Sequence, residues 1–267
     1  MKGGKISVIA LDFDGLIGDT VREGFVVSVA AWNDMEGHAK MKTTAQEELR
    51  LRMLRPFLRT AEHYYTMLKL MHDSPGETFA NYTQKIFEAE AQKEDAGKLG
   101  EFVEKFYEKR KEFIAKSKKE WLALQRAYPG ARRAVKTLQS NFPVFIATTR
   151  NTESAFELLR EWGIGIPIQN IVGRNDAMEK NKQLEIIAKR SGVNMGEVLL
   201  ADDSVEQLLR ARKSGARVAF ASWGYVSPDQ MELSHRERLE RFPGFGPKAG
   251  EELSGFIRRL SARKPSG

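Results

Sequence analysis

The 267 residues are enough for one large core or two modest domains, and 41% hydrophobic with 30% charged residues is the composition of a soluble globular protein. Cysteine is absent, which excludes disulfides, thiolate metal sites and a cysteine nucleophile. No apolar run reaches membrane-span length and the first residues lack a signal peptide's apolar segment, so no membrane partner is expected and the cytoplasm is the expected location. The net charge of +7 fits an anionic small substrate, nucleic acid or plain solubility. Much of the excess lies between Lys105 and Lys136, where Glu104, Glu108, Glu112 and Glu120 are interleaved. A solvated helix face accounts for that pattern better than a nucleic-acid surface does.

The first predicted element is a strand, Ile6 to Leu11, apolar enough to be buried on both faces as in a parallel sheet covered by helices. It runs into two carboxylates, Asp12 and Asp14, with Gly15 and Gly18 supplying turn freedom behind them. Ligands of open α/β sheets bind outside the carboxyl ends of strands. Two acids there repel each other unless a cation or a shared proton settles the charge, and hard oxygen ligands favour Mg²⁺. A metal would leave one carboxylate able to attack a phosphorus centre.

From Val21 the periodicity is helical for about a hundred residues. Val21–Met35 reads as one helix, and Thr43 or Thr44 with Glu47 starts a second. Leu51, Leu54, Leu58, Ala61, Tyr65 and Leu68 form an apolar stripe, interrupted near Arg55 by Pro56. Arg52, Arg55, Arg59 and His63 share one side if that helix is continuous; they could meet an anionic substrate or form a solvent-facing basic stripe. A turn at residues 73–76 precedes a third helix, Thr78 to Gln92, and a fourth runs from Leu99 to Tyr128.

Strand and helix then alternate. Ala131–Gln139 is a short helix, and Val144–Arg150 a strand ending in the hydroxyls Thr148 and Thr149. Asn151 or Thr152 caps a helix Glu153–Trp162, and Ile168–Val172 is a short strand. Glu179-Lys180-Asn181-Lys182 leads into a helix Gln183–Arg190. Val198–Ala201 repeats the opening design, an apolar strand running into Asp202 and Asp203, with Asp203 or Ser204 also placed to cap a helix Val205–Ser214. Arg217–Ala221 is the last strand. Leu239–Ala249, rich in Gly and Pro, reads as a surface loop before a closing helix Gly250–Leu260; it also resembles the hairpin of helix-hairpin-helix DNA-binding modules. Residues 263–267 are expected to fray.

The segment Asp12-Phe13-Asp14-Gly15-Leu16-Ile17-Gly18-Asp19-Thr20 resembles motif I of the haloacid dehalogenase superfamily, with Leu16 where Thr is usual. Thr148 matches motif II, although Thr149 and Arg150 replace the commoner followers. Lys180 stands at the motif III spacing of phosphoserine-phosphatase-like members, with Lys182 as the alternative. Ala201-Asp202-Asp203 with Glu206 resembles motif IV, Ala201 replacing Gly, and residues 222–225 resemble the loop that follows in phosphoglycolate-phosphatase-like relatives.

This resemblance implies an α/β fold: a Rossmann-like parallel sheet core (1–20 and 128–267) carrying an all-helical cap (21–127) of the C1-type insertion. Such caps close over the site, exclude water and carry substrate contacts. The implied activity is a Mg²⁺-dependent phosphatase acting on a small phosphorylated metabolite. Asp12 would be the nucleophile, Asp14 the acid/base, and Thr148 and Lys180 the holders of the phosphoryl group. Thr149, Arg150, Arg55 and Arg59 would contact substrate; Asp12, Asp14 (through its backbone carbonyl), Asp202 and Asp203 would serve the metal. Asp14 argues against dehalogenase and phosphonatase branches, which lack that acid. A phosphomutase shares all four motifs, and a non-catalytic protein of the same fold could bind nucleic acid through its tail; both readings stay open at this point.

Overall fold

The structure, a computed structural model, describes residues 5–37, 40–246 and 249–262. The chain divides into two compact units: 1–19, 126–226 and 230–267 in one, and 20–125 with 227–229 in the other.

The first unit is built on a sheet of five parallel strands. These are β1 (Val8–Leu11), β4 (Val144–Ala147), β5 (Ile171–Val172), β6 (Val198–Asp202) and β7 (Arg217–Phe220), in the order β5-β4-β1-β6-β7. Every residue of β1 is buried because successive side chains point to opposite faces and both faces are covered. Val8 and Ala10 join Phe145, Ala147, Leu200 and Phe220 beneath α8 (Lys180–Ser191) and α9 (Val205–Lys213). α6 (Ala131–Gln139) packs on β4 and on α11 (Ala249–Ala262), while α7 (Thr152–Glu161) packs on β5. The chain adds β4 and β5 on one side of β1 and β6 and β7 on the other, so the order reverses at the acidic strand.

Three expectations fail in this unit, the first because Ile168–Asn170 form a 3-10 turn and only Ile171–Val172 of the predicted strand pair with the sheet. The fourth predicted helix does not reach Tyr128: residues Arg126–Ala127 form β3, antiparallel to β2 (Gly18–Asp19), and the Tyr128 N–H donates to the Ile17 carbonyl. Nor are residues 239–246 a surface loop. The Phe220 N–H donates to the Glu240 carbonyl and the Phe242 N–H to the Phe220 carbonyl, so the segment runs beside β7 and covers its edge. Phe242 and Phe245 are buried against Trp223 and Phe256. Pro247, Lys248 and residues 263–267, to which the hairpin resemblance and the fraying expectation extend, lie outside the described residues.

The second unit is helical. It contains α1 (Val21–Met35), α2 (Ala45–Leu54), α3 (His63–Asp73), α4 (Gln84–Ala91) and α5 (Ala96–Ala123), the last kinked at Ser117. Thr44 caps α2 by accepting the Glu47 N–H, as the capping pattern predicts. Pro56 ends that helix: Arg55–Phe57 is a single 3-10 turn and α3 restarts at His63. The basic stripe is therefore not continuous. α4 begins six residues later than expected, since Phe79 takes a left-handed φ of 57° and the Gln84 N–H donates to Asp229 from the distant 227–229 segment. The start of α10 (Pro228–Arg236) contributes that acid.

Arg110 departs from the solvated-face reading of the charged stretch. Its guanidinium makes a bidentate bond with the fully buried Glu23 at 2.7 and 2.8 Å, and the Trp121 indole N–H donates to the same carboxylate at 3.0 Å. Lys105 and Lys109 pair with Asp34 at the surface.

Candidate active site

Asp12 follows the last residue of β1, and its own N–H is held by the Ala201 carbonyl of β6 at 2.9 Å. The chain then turns sharply: Ile17 and Gly18 N–H groups both donate to the Phe13 carbonyl, and Gly15 N–H donates to the Gly18 carbonyl. Gly15 sits at φ +90°, and a Cβ there would lie 1.9 Å from Asp203 Oδ2. Glycine is required at this position by both the backbone and the neighbouring acid.

Lys180, the first residue of α8, is buried and points into this corner. Its ammonium donates to Asp12 Oδ1 at 2.7 Å and to the Ala147 carbonyl at 2.6 Å, and faces Asp202 Oδ2 at 3.3 Å. Lys182 instead pairs with Glu185 on the exposed face of the helix. Burial alone would depress the Lys180 ammonium, but Asp12 and Asp202 outweigh it and hold it above the ordinary lysine value. Burial pushes the Asp12 carboxyl up to about 7; Lys180 opposes the shift, and Asp202 and Asp14 add to it. One lysine, Lys180, faces both Asp12 and Asp202 in this corner.

Carboxylate oxygens of Asp12, Asp202 and Asp203 lie within 4.8 Å of one another. Asp202 Oδ1 accepts the Ser204 N–H at 2.8 Å, whereas its buried Oδ2 has no hydrogen-bond donor despite the nearby ammonium. A buried, under-satisfied carboxylate oxygen beside two further acids fits a hard divalent cation in donor type. The Asp14 side chain stands apart from that cluster: its Oδ1 accepts from Arg150 Nη2 at 2.9 Å.

Thr148 is buried at the end of β4, but its N–H donates to the Val172 carbonyl at 3.1 Å. Sheet pairing takes this donor, so of Thr148 only the side chain is left to meet a phosphoryl oxygen. The Thr148 hydroxyl oxygen accepts the Arg150 N–H at 3.1 Å, which leaves the hydroxyl hydrogen to donate elsewhere. Thr149 is exposed. Arg59 is engaged inside the helical unit by the Pro56 and Leu58 carbonyls and by Gln84 Oε1, and Arg55 is half-buried in the 3-10 turn. The helix that would have carried Arg55 and Arg59 on one side is interrupted between them.

Three bracing contacts escaped the sequence reading. Gln183 Nε2 donates to the Thr148 and Ala177 carbonyls at 2.7 and 2.8 Å. The Tyr225 N–H donates to Asp203 Oδ2 at 2.6 Å. Trp162 stacks on Phe13 with ring centroids 5.4 Å apart. Only the first carried a signal, because Gln183 lies three positions after Lys180 and so shares its helix face.

A parallel sheet whose order reverses at its acidic strand, with acids at the ends of both central strands, makes this an α/β protein whose switch point is the candidate ligand site. The family model described as haloacid dehalogenase-like hydrolase matches residues 9–221, and the chain belongs to that family. It is similar to a phosphoglycolate phosphatase of Pectobacterium atrosepticum, 28% identical over 120 residues that cover 43% of this chain and 51% of the relative. It is also similar to a phosphoglycolate phosphatase of Neisseria gonorrhoeae, 26% identical over 132 residues, covering 48% and 56% respectively. The chain thus spans about half the length of the curated relatives it matches. A haloacid dehalogenase-like family hydrolase from Streptococcus pneumoniae shares the fold, with a TM-score of 0.63 at 15% identity over 94% of this chain and 98% of that one. Among the described residues no helix is long and apolar enough to cross a membrane.

Proposed function

We propose that this chain hydrolyses a small phosphomonoester through an aspartyl-phosphate on Asp12. The observation that carries the reading is the Lys180 ammonium, buried between Asp12 and Asp202 at the mouth of the central strands. A lysine held there neutralises the nucleophile and an incoming phosphoryl group together. Similarity to phosphoglycolate phosphatases supports a small phosphorylated metabolite as the substrate class.

In the first step an Asp12 carboxylate oxygen attacks phosphorus in line, and the bond to the alcohol oxygen breaks. Asp14 gives its proton to the departing alkoxide. Lys180 and the Thr148 hydroxyl hold phosphoryl oxygens. In the second step Asp14 takes a proton from water, whose oxygen attacks the same phosphorus; inorganic phosphate leaves and the Asp12 carboxylate returns. Asp12, Asp202 and Asp203, with the backbone carbonyl of Asp14, would hold a Mg²⁺ ion. When bound, that ion supplies positive charge against the phosphoryl oxygens.

The test is a panel of metabolite phosphomonoesters assayed with Mg²⁺ and then with EDTA. Hydrolysis of at least one ester that disappears with EDTA is expected. Turnover only with added bisphosphate would mark a mutase, and no turnover under any condition would refute the reading. Because Mg²⁺ would relieve like-charge repulsion, the thermal midpoint of the unaltered chain should rise with Mg²⁺ concentration, and that of Asp202→Asn should not.

A further inference from the structure

Arg150 lies in the turn just past β4, two residues after Thr148, and its side chain is almost entirely buried. Its place is determined from several sides. The N–H donates to the Thr148 hydroxyl, and the carbonyl accepts the Arg174 N–H at 3.0 Å. A Cβ on Gly173 would come within 2.8 Å of that carbonyl, so the backbone here is closely packed. The guanidinium lies 5.5 Å from the centroid of the Phe13 ring, which is itself stacked on Trp162. From that seat Nη2 reaches Asp14 Oδ1 at 2.9 Å.

We infer that Arg150 is a positioning residue that fixes the orientation of the Asp14 carboxylate for proton transfer to the leaving group. The inference rests on the proposed phosphatase reading, in which Asp14 transfers the proton. Asp14 is the third residue after β1, in a tight turn, and χ2 of a carboxylate keeps rotational freedom to the extent that its contacts allow. The planar guanidinium, held against Phe13, removes that freedom in a way a lysine's flexible stem does so only in part. Proton transfer is sensitive to such placement. In the reaction the Asp14 O–H bond breaks as the alkoxide O–H bond forms, while the ester P–O bond opens.

The consequence depends on the leaving group. An alkyl phosphate must have its alkoxide protonated as it departs, whereas p-nitrophenolate leaves without help. Arg150→Ala and Arg150→Gln should therefore lower kcat on a simple alkyl phosphomonoester by about a hundredfold, within the range of general acid catalysis. On p-nitrophenyl phosphate the fall should be at least tenfold smaller, with KM for both esters within about threefold of the unaltered chain. Arg150→Lys, which keeps the charge and an N–H donor, should recover part of the alkyl-to-aryl ratio. That ratio is taken on one preparation and is independent of the fraction folded.

Equal losses on both esters would overturn the inference and leave Arg150 a structural residue. A rise in KM with kcat intact would overturn it in favour of direct substrate contact. If the unaltered chain hydrolyses neither ester nor any on the panel, the phosphatase reading itself falls, and this inference with it.

Discussion

The two units each bury a charged cluster, and the clusters are finished differently. In the helical unit both oxygens of Glu23 are engaged, by Arg110 on two sides and by the Trp121 indole. In the sheet unit Asp12, Asp202 and Asp203 crowd one lysine, and Asp202 Oδ2 lacks a hydrogen-bond donor. A closed cluster has its charges matched and serves to hold helices together. An open one keeps excess charge at a fixed place, which costs stability unless something binds there. The contrast separates a structural ion pair from a site without recourse to motifs.

Substitutions can break that contrast, beginning with the largest effect. Asp12→Asn should reduce turnover by about four orders of magnitude or more, as expected for loss of a nucleophile. Its thermal midpoint should stay level or rise, because one of several crowded acids loses its charge. Retained turnover would mean that the nucleophile is misassigned. Lys180→Ala should lower turnover by about a hundredfold to a thousandfold and also destabilise, since Asp12 and Asp202 then face each other uncompensated. Lys182→Ala, on the exposed face, should change neither beyond about 0.5 kcal/mol, and steady-state kinetics on the two variants decides between the lysines.

In the helical unit the expected effect is on stability. Glu23→Ala leaves a largely buried guanidinium and an indole N–H without their acceptor, and should cost about 3–5 kcal/mol in urea unfolding. The pair Glu23→Leu with Arg110→Met should be milder than the single change, because no charge is stranded. If the single change is the milder one, Glu23 is not the closed cluster described above. The smallest effect concerns Glu36. Its hydrogen bond from Lys98, aided by Tyr65, holds its carboxyl below the ordinary 4.5. A depressed folded value means that this stability is full above the unfolded pKa and is lost as pH falls through it and below. The pair is partly exposed, so the contribution is under about 1 kcal/mol. Comparing unfolding midpoints of the unaltered chain and Glu36→Gln from about pH 6 to about pH 3 should show a gap that closes with acid.

Much of the sheet unit was legible because burial on both faces writes a continuous apolar run, and the runs at β1, β4 and β6 end in the polar residues that matter. Asp12 and Asp202 stand out by position at strand ends, whereas Lys180 is set apart from Lys182 only by the spacing of the family resemblance. Helix α6 has the bounds its periodicity predicts, and Thr44 is the cap its spacing implies. Local patterning failed where partners are remote. The late start of α4 depends on Asp229, and β3 exists only because Arg126 and Ala127 find Gly18 and Asp19. The engaged Thr148 N–H and the burial of Phe242 and Phe245 likewise follow from neighbours distant in the chain.

By itself the sequence determined, through periodicity, most strands and helices and the end of the sheet where acids collect, and, through its resemblance to the haloacid dehalogenase superfamily, the class of fold and the candidate side chains. Only tertiary contacts decided that Arg150 turns to Asp14, that Asp203 is braced by the Tyr225 N–H, and that Arg110 leaves the solvated face for Glu23. The reason is that a strand or helix pattern records which face is buried. It does not record which polar group, from elsewhere in the chain, will be waiting there.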